Sequence, residues 1–538
     1  MKPITNNRTT SEVVDLSRTN RHNMTLRSRE GSSYVSFSSE KARRHNSDAM
    51  TKALQNPLIL DIIFAQLNLN DLKSSRLVCR DWADVGAPLL VKRSRLLANF
   101  LYRVENSKLR QGIVTPLSDE LLRHLVISDK FDPSVPKGKQ ASVITKVFTD
   151  VANVSRSTRQ VTLSVTQPKL VLAFFKGIRS LKSTNIQHVS ITSVDIAAKR
   201  AIVDNIPSFL TRLKLPFQAG LTSLQFKVFG YIGGIKYALH AFEPLFQTLI
   251  DSAPNLARLD VSGAFYPNLE ACKNLKVLKF VFEKCAHDTC QVRLTGVTRM
   301  LTQVKDSVVE LDLAYRAAKA ERIQRVRNNA DHMMSKLVTL NIHGAFAYPI
   351  SNFFDEVHLP QLKNVSFNEQ IKGCELRAFL KLWGPHEGVQ SLSVNLGYRW
   401  MKDRFAKKMV RKFPSVKKFE LSTDLCKNKY VPQLNEMMEP FKTWDLEESN
   451  VVINLVDECS VLVAVLKNMA VWKGAKNVHF EEVGLREDDL SGSIQDVIAH
   501  GRGFKSVEIS GVEDPAIVEK MQAIFKESGA PIHFMESY

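Results

Sequence analysis

Two hydrophobic periods divide this chain. Between residues 51 and 95 the spacing is helical: Ile59, Ile62, Ile63 and Leu67 recur at i, i+3, i+4 and i+8. Asn56 before Pro57 marks the helix start, because the Asn side chain accepts an early N–H and Pro at the first position loses no bond. Asn70 is positioned to cap a second short helix carrying Leu72. Val78, Trp82 and Val85 form an i, i+4, i+7 stripe on a third, and Gly86 is placed to end it. Three short helices make a small bundle with little core. Phe64, Leu72, Val78 and their neighbours are more apolar surface than it can hide, which predicts an interaction face.

From about residue 156 a different unit returns, apolar-x-x-apolar-x-apolar. It reads NLARLDV at 255–261, NLKVLKF at 274–280, SVVELDL at 307–313, KLVTLNI at 336–342, QLKNVSF at 361–367, GVQSLSV at 388–394 and SVKKFEL at 415–421. GAKNVHF at 474–480 and GFKSVEI at 503–509 close the series; degenerate copies stand at 157–165, 185–191, 209–215 and 450–455. The fourth positions from Leu259 to Phe419 are separated by 19, 33, 29, 25, 27 and 27 residues. Most of these fall near the upper end of the leucine-rich-repeat period of about 20–29 residues. Helix-like segments such as 242–254 and 515–525 lie between the copies. One strand and one helix per period, stacked, predict a curved α/β solenoid over 156–538. Residues 1–50, rich in Ser, Thr, Asn and Arg, read as a disordered basic tail. Residues 96–155 read as helical linker and loop, with 128–142 the clearest loop.

Composition changes this picture little. Lys and Arg number 74 against 55 Asp and Glu, a net charge of +19. Such an excess admits nucleic acid, acidic lipid or an acidic protein. It concentrates in 402–418, where eight basic residues accompany one acid. Phe405, Met409 and Phe413 recur every fourth residue there, so they are expected to face the core while the Lys and Arg coat the outside. Nucleic acid is therefore not expected as a partner. The most apolar run, 451–472, contains Asp457, Glu458 and Lys467, so no membrane span is expected. The start lacks the apolar core of a secretory signal, and the seven Cys are odd in number and irregularly spaced. Reduced thiols in the cytosol or nucleus follow. Cys285, His287 and Cys290 supply one ligand pair without the second that structural zinc uses, so no metal or cofactor is expected. No hydrolase, zinc-protease or nucleotide-binding motif is present, and Gly138-Lys139 lacks the rest of a phosphate loop.

Residues 54–95 resemble the F-box, the small helical module that docks onto the Skp-type adaptor of cullin-RING ubiquitin ligases. The likeness rests on Pro57, Ile63-Phe64, Leu67, Leu72 and Val78-Cys79-Arg80-Asp81-Trp82. SAPNLARLDVSG at 252–263 is similar to the repeat unit of F-box proteins with leucine-rich repeats. The resemblance implies a non-catalytic substrate receptor of an SCF-type ligase. Pro57, Ile63, Phe64, Leu67, Leu72, Val78, Cys79 and Trp82 would then face the adaptor, and through it a cullin. Strand side chains alternate, so the residues between the apolar ones face the concave surface of the solenoid. Arg258, Asp260, Lys279, Asp312, Asn341, His343, Asn368 and Asn395 lie there, with Ser262, Ser366, Ser393, Lys418 and Glu420. That mixed polar surface favours a protein ligand. The alternative reading is a protein-binding repeat scaffold with a diverged F-box.

Overall fold

The computed structural model describes residues 54–106, 108–111, 122–152, 157–181, 185–196, 214–232, 235–238, 242–283, 294–316, 333–344, 355–371, 376, 380–381, 383–396, 405–424, 431–454, 456, 459–483, 487–512 and 514–535. The expected tail at 1–50 and the Cys285–His287–Cys290 cluster lie outside them. The chain divides into two compact units at Leu90/Val91.

In the first unit, α1 (Pro57–Gln66) begins as its sequence predicts, with Asn56 Oδ1 accepting the Leu58 N–H at 3.0 Å. The cap of α2 (Leu69–Ser75) is Asn68, not Asn70: Asn68 Oδ1 accepts the N–H groups of Asn70 and Asp71 at 3.0 and 2.9 Å. A cap must precede the first turn to reach those free donors. Gly86 does not end the third helix; α3 runs Arg80–Arg93 through Gly86 and Pro88. Gly86 is buried there, and a Cβ would stand 2.7 Å from Arg76 Cγ, so the glycine serves close packing.

The buried face of α1 also differs from the predicted stripe. Leu60 and Phe64 point inward with Leu72 and Leu90, while Ile59, Ile62 and Ile63 are exposed. The helix is apolar almost all round, so its periodicity selects no side. The aromatic pair selects it: Phe64 meets Trp82 edge-on at 5.3 Å, and Trp82 Nε1 donates to Leu54 O at 3.0 Å.

The second unit is α/β, built on one seventeen-stranded sheet. Its parallel strands are β1 (Leu96–Leu97), β4 (His124–Ser128), β5 (Gln160–Ser164), β6 (His188–Ile196), β7 (Ser223–Ile232), β9 (Arg258–Gly263), β10 (Val277–Glu283), β11 (Glu310–Arg316) and β12 (Thr339–Gly344). They continue as β13 (Asn364–Ile371), β14 (Ser391–Leu396), β15 (Lys418–Asp424), β16 (Glu448–Asn454), β17 (Ala475–Glu481), β18 (Ser506–Ser510) and β19 (Ile532–Met535). Each pairs with the next in this order. The short β8 (Ile235–Ala238) folds back antiparallel on β7, and a separate hairpin joins β2 (Tyr102–Glu105) and β3 (Lys108–Gln111). The sheet thus begins within 96–155, where the sequence predicts helix and loop. Of that expectation α4 (Gln140–Lys146) is helical, followed by a wide turn at Val147–Ala152.

Helices connect many of the strands, as a parallel pair requires a crossover. They are α5 (Pro168–Arg179), α6 (Glu243–Asp251), α7 (Leu294–Val304), α8 (Ala406–Lys412), α9 (Val431–Met438), α10 (Cys459–Ala470), α11 (Glu487–Gly501) and α12 (Pro515–Ser528). Their apolar faces meet every second strand residue. Phe226 of β7 packs on Phe246 of α6 at 4.5 Å, and Phe419 of β15 packs on Phe441 and Trp444 at 4.6 and 5.0 Å. In α8, Met409 and its neighbours Phe405 and Phe413 are fully buried, while Lys407 and Arg411 are exposed, as the spacing predicts.

A backbone device marks most of the periods. The two residues entering a strand donate both N–H groups to one carbonyl of the strand before. Thus Lys276 and Val277 bond Ala257 O, Val309 and Glu310 bond Lys276 O, and Val338 and Thr339 bond Val309 O. The ladder extends back through Thr222, Gln187 and Arg159 and forward through Val338, Lys363, Gln390, Lys417 and Glu447. It exposes copies that the sequence reading misses, at 122–128 and 221–227, whose Leu125 and Leu224 lie in register with Val161 and Leu259. The supposed copy at 209–215 forms no strand in its described part, 214–215. Gly474 enters β17 at φ +73°, with Leu446 O 2.4 Å from where a Cβ would be, so this turn admits only glycine.

Candidate functional site

The first unit offers an apolar surface. Leu58 and Ile62 on α1 are 75% and 67% exposed, and Leu77 and Val78, in the turn before α3, are 87% and 63% exposed. Backbone bonds hold that turn, from Leu77 N to Ser74 O and from Val78 N to Ser75 O, at 3.0 and 3.2 Å. Of the residues expected to face an adaptor, Pro57, Ile63, Val78 and Cys79 are exposed, and Leu67 and Trp82 are half-buried against the core. Phe64 and Leu72 are at 1% and 0% exposure, so they form the core and leave no surface for a partner. Leu58, Ile62 and Leu77 are exposed instead. The signal for Leu77 was its position outside any helical stripe; nothing in the periodicity singles out Leu58.

The second unit offers one open face of the sheet. Parallel sheets covered on both sides carry nearly continuous apolar strands. These strands instead alternate buried and half-buried residues, for example along β5, β14 and β18. The half-buried rows hold most of the expected ligand-facing residues; Ser262 shares their face but is buried. Gln225, Asp260, Lys279, Asp312, Asn341, Ser366, Ser393 and Glu420 occupy one row across β7 to β15. Arg258 is exposed one row below, and His343, Asn368 and Asn395 stand toward the strand ends, His343 opposite Asn368.

The middle of this face is occupied with itself. Lys227 Nζ pairs with Asp260 at 2.8 Å, Gln225 donates to the same carboxylate at 2.9 Å, and Ser190 donates to Gln225 at 2.6 Å. Lys279 Nζ lies 3.4 Å from both Glu310 and Asp312, and His343 Nε2 lies 3.0 Å from Asp312 Oδ1. Burial pushes the Asp312 carboxyl up, but the hydrogen bond and charge of His343, with the charge of Lys279, outweigh it and hold the group below the usual range. The sequence reading thus selects residues that share a face, and the structure joins three of them, Lys279, Asp312 and His343, into a single cluster with Glu310.

Two recesses lie on the open face. One of about 290 Å³ is lined by Gln160, His188, Ser190, Ser223, Gln225, Arg258 and Asp260. Near it, His124 Nε2 and Thr162 Oγ1 are 3.1 Å apart; burial, then the charges of Arg95 and His188, push His124 down to about 4. The larger, about 430 Å³, lies over β15 to β18 and is lined by Lys418, Glu420, Glu448, Asn450, Val452, Asn477, His479 and Glu508, with Ser391, Phe419 and Val478. Its residues on β16 to β18 escape the sequence reading, although the same alternation applied to 448–454 and 475–481 reaches them.

Elsewhere, burial and then the Asp251 charge push the Cys272 thiol up to about 12, which keeps it protonated. Among the described residues, no helix is long and apolar enough to cross a membrane, and no three His, Cys, Asp or Glu side chains gather as metal ligands. The chain matches no family model and no curated protein.

Proposed function

We propose that this chain is the substrate-recognition subunit of an SCF-type ubiquitin ligase. Its helices α1 to α3 act as an F-box that docks a Skp-type adaptor, and the strand–helix repeats form a leucine-rich-repeat solenoid whose open sheet face takes a protein substrate. The subunit itself performs no chemistry; it works in the cytoplasm or nucleus by raising the local concentration of substrate near the partner enzymes.

One observation carries this reading. Among its described residues, a unit that buries four apolar side chains, Leu60, Phe64, Leu72 and Leu90, leaves Leu58, Ile59, Ile62, Ile63, Leu77 and Val78 in water. Such exposure in so small a body marks a surface for a partner, and a few desolvated anchors supply most of the affinity at such surfaces. Co-precipitation of the purified chain with a purified Skp-type adaptor tests it. Ile62→Asp with Leu77→Asp is expected to abolish capture while the helices stay folded, since both side chains are exposed. Undiminished capture would sink the adaptor assignment.

A further inference from the structure

The open face differs in charge along its length. From β7 to β12, Lys227, Arg258 and Lys279 balance Asp260, Glu310 and Asp312, and all but Arg258 are within ion pairs there. From β15 to β18, among the described residues, the same face carries Glu420, Glu448, Glu481 and Glu508 against one lysine, Lys418. That stretch is acidic on a chain whose net charge is +19. Its few cationic contacts are long: Lys418 Nζ is 3.7 Å from Glu448, and His479 Nδ1 is 3.6 Å from Glu481. Among the described residues, Glu508 accepts the Ser506 hydroxyl, at 3.2 Å, and Glu420 is exposed and forms no ion pair.

These carboxylates are not scattered. Glu420, Glu448 and Glu508 line the same recess of about 430 Å³, with Asn450 and Asn477 between them as neutral donors and acceptors. Val452 stands among them, half-buried, and can carry the methylene stem of a long side chain. An isolated cluster of like charges on a folded surface repels itself, and a partner of opposite sign relieves this.

We infer that the β15–β18 recess is a docking site for an extended protein segment bearing arginine or lysine. The inference rests on the reading of the open face as a protein-binding surface and names the chemistry of what it takes. One guanidinium or ammonium meets Glu420 and Glu448 at the β15–β16 end and another meets Glu508 on β18, a stem lies on Val452 between them, and the asparagines hold the segment's backbone. Four strands about 4.8 Å apart span about 15 Å, so about five extended residues cross the site.

The test uses the full chain and a fluorescent peptide of alternating Arg and Ser, with a Glu-Ser peptide of equal length and spermine as the other arms. The Arg-Ser peptide is expected to bind, more weakly as salt rises, and to resist competition by spermine. Glu420→Gln with Glu508→Gln is expected to weaken it about tenfold or more. Lys418→Gln, which frees Glu448, is expected to tighten it about threefold. Glu439→Gln, on the helical side, is the neutral control. No binding, equal binding of the Glu-Ser peptide, displacement by spermine at matched charge, or indifference to the Glu420/Glu508 double variant and to Lys418→Gln would each overturn the proposal. Because Glu420 is exposed and unpaired, the single Glu420→Gln variant remains readable should the double variant unfold. Peptide binding and adaptor capture are separate readouts: loss of one leaves the other standing, so failure of this inference is distinct from failure of the ligase reading.

Discussion

The two compact units handle apolar surface in opposite ways. The repeat unit buries a long continuous core, and its exposed large hydrophobes, such as Phe217, Val357 and Val471, are separated along the chain. Among its described residues, the helical unit buries four apolar side chains and exposes six aliphatic ones within a few turns of α1 and one short turn. Repeats stacked on neighbours have apolar partners on both sides. Three short helices have none, so their surplus must meet another molecule or water. The lesson is that in α1 the buried face and the face proposed to dock a partner are different faces, and both are apolar.

The sharpest way to break that contrast is to exchange the roles. Phe64→Ala is expected to remove about 3–5 kcal/mol from the helical unit, enough to unfold it, because it deletes the core ring that Trp82 packs against. Ile62→Ala, on the exposed face, is expected to cost less than about 0.5 kcal/mol. Amide exchange of α1 to α3 compares the two; equal protection would erase the distinction between the faces.

This is also where the sequence is least legible. An amphipathic helix declares its buried side by period, and Pro57-Leu-Ile-Leu-Asp-Ile-Ile-Phe has too few polar positions to do so. The stripe at Ile59, Ile62, Ile63 and Leu67 is real as a pattern but is mostly the outer face. The repeats are more legible, because every strand repeats one alternation and the register multiplies the signal. Even so, irregular spacing hides the copies at 122–128 and 221–227; strand register reveals both, and the shared carbonyl ladder also marks the second. The side chains of the open face could be placed by alternation, but whether a charge is neutralised by its neighbour depends on register between strands some 30 residues apart.

Within the sheet a second, smaller contrast follows. Asp312→Asn breaks the contacts to both Lys279 and His343 and is expected to cost about 1–2 kcal/mol in denaturant unfolding. Glu420→Gln, on the acidic stretch, is expected to leave stability unchanged within about 0.5 kcal/mol. Equal losses would mean that the acidic stretch is as self-satisfied as the middle.

The smallest expected effect is a pH slope. His124 titrates at about 4 when folded against 6.5 in an unfolded chain, so the unfolded chain binds the proton more readily between those values. Its contribution to stability is complete above pH 6.5 and is lost as pH falls toward 4. His124→Gln, which can keep the bond to Thr162, is expected to flatten the fall in Tm across that interval; an unchanged slope would remove His124 from the account.

The account turns on Leu58, Ile62, Leu77 and Val78 being the side chains that a partner covers. Hydroxyl-radical footprinting of the full chain, alone and with a Skp-type adaptor, reads side-chain exposure directly. The predicted result is that oxidation of these four falls sharply in the complex while Leu60, Phe64 and Leu72 stay protected in both states. Oxidation of the four unchanged by the adaptor would contradict it.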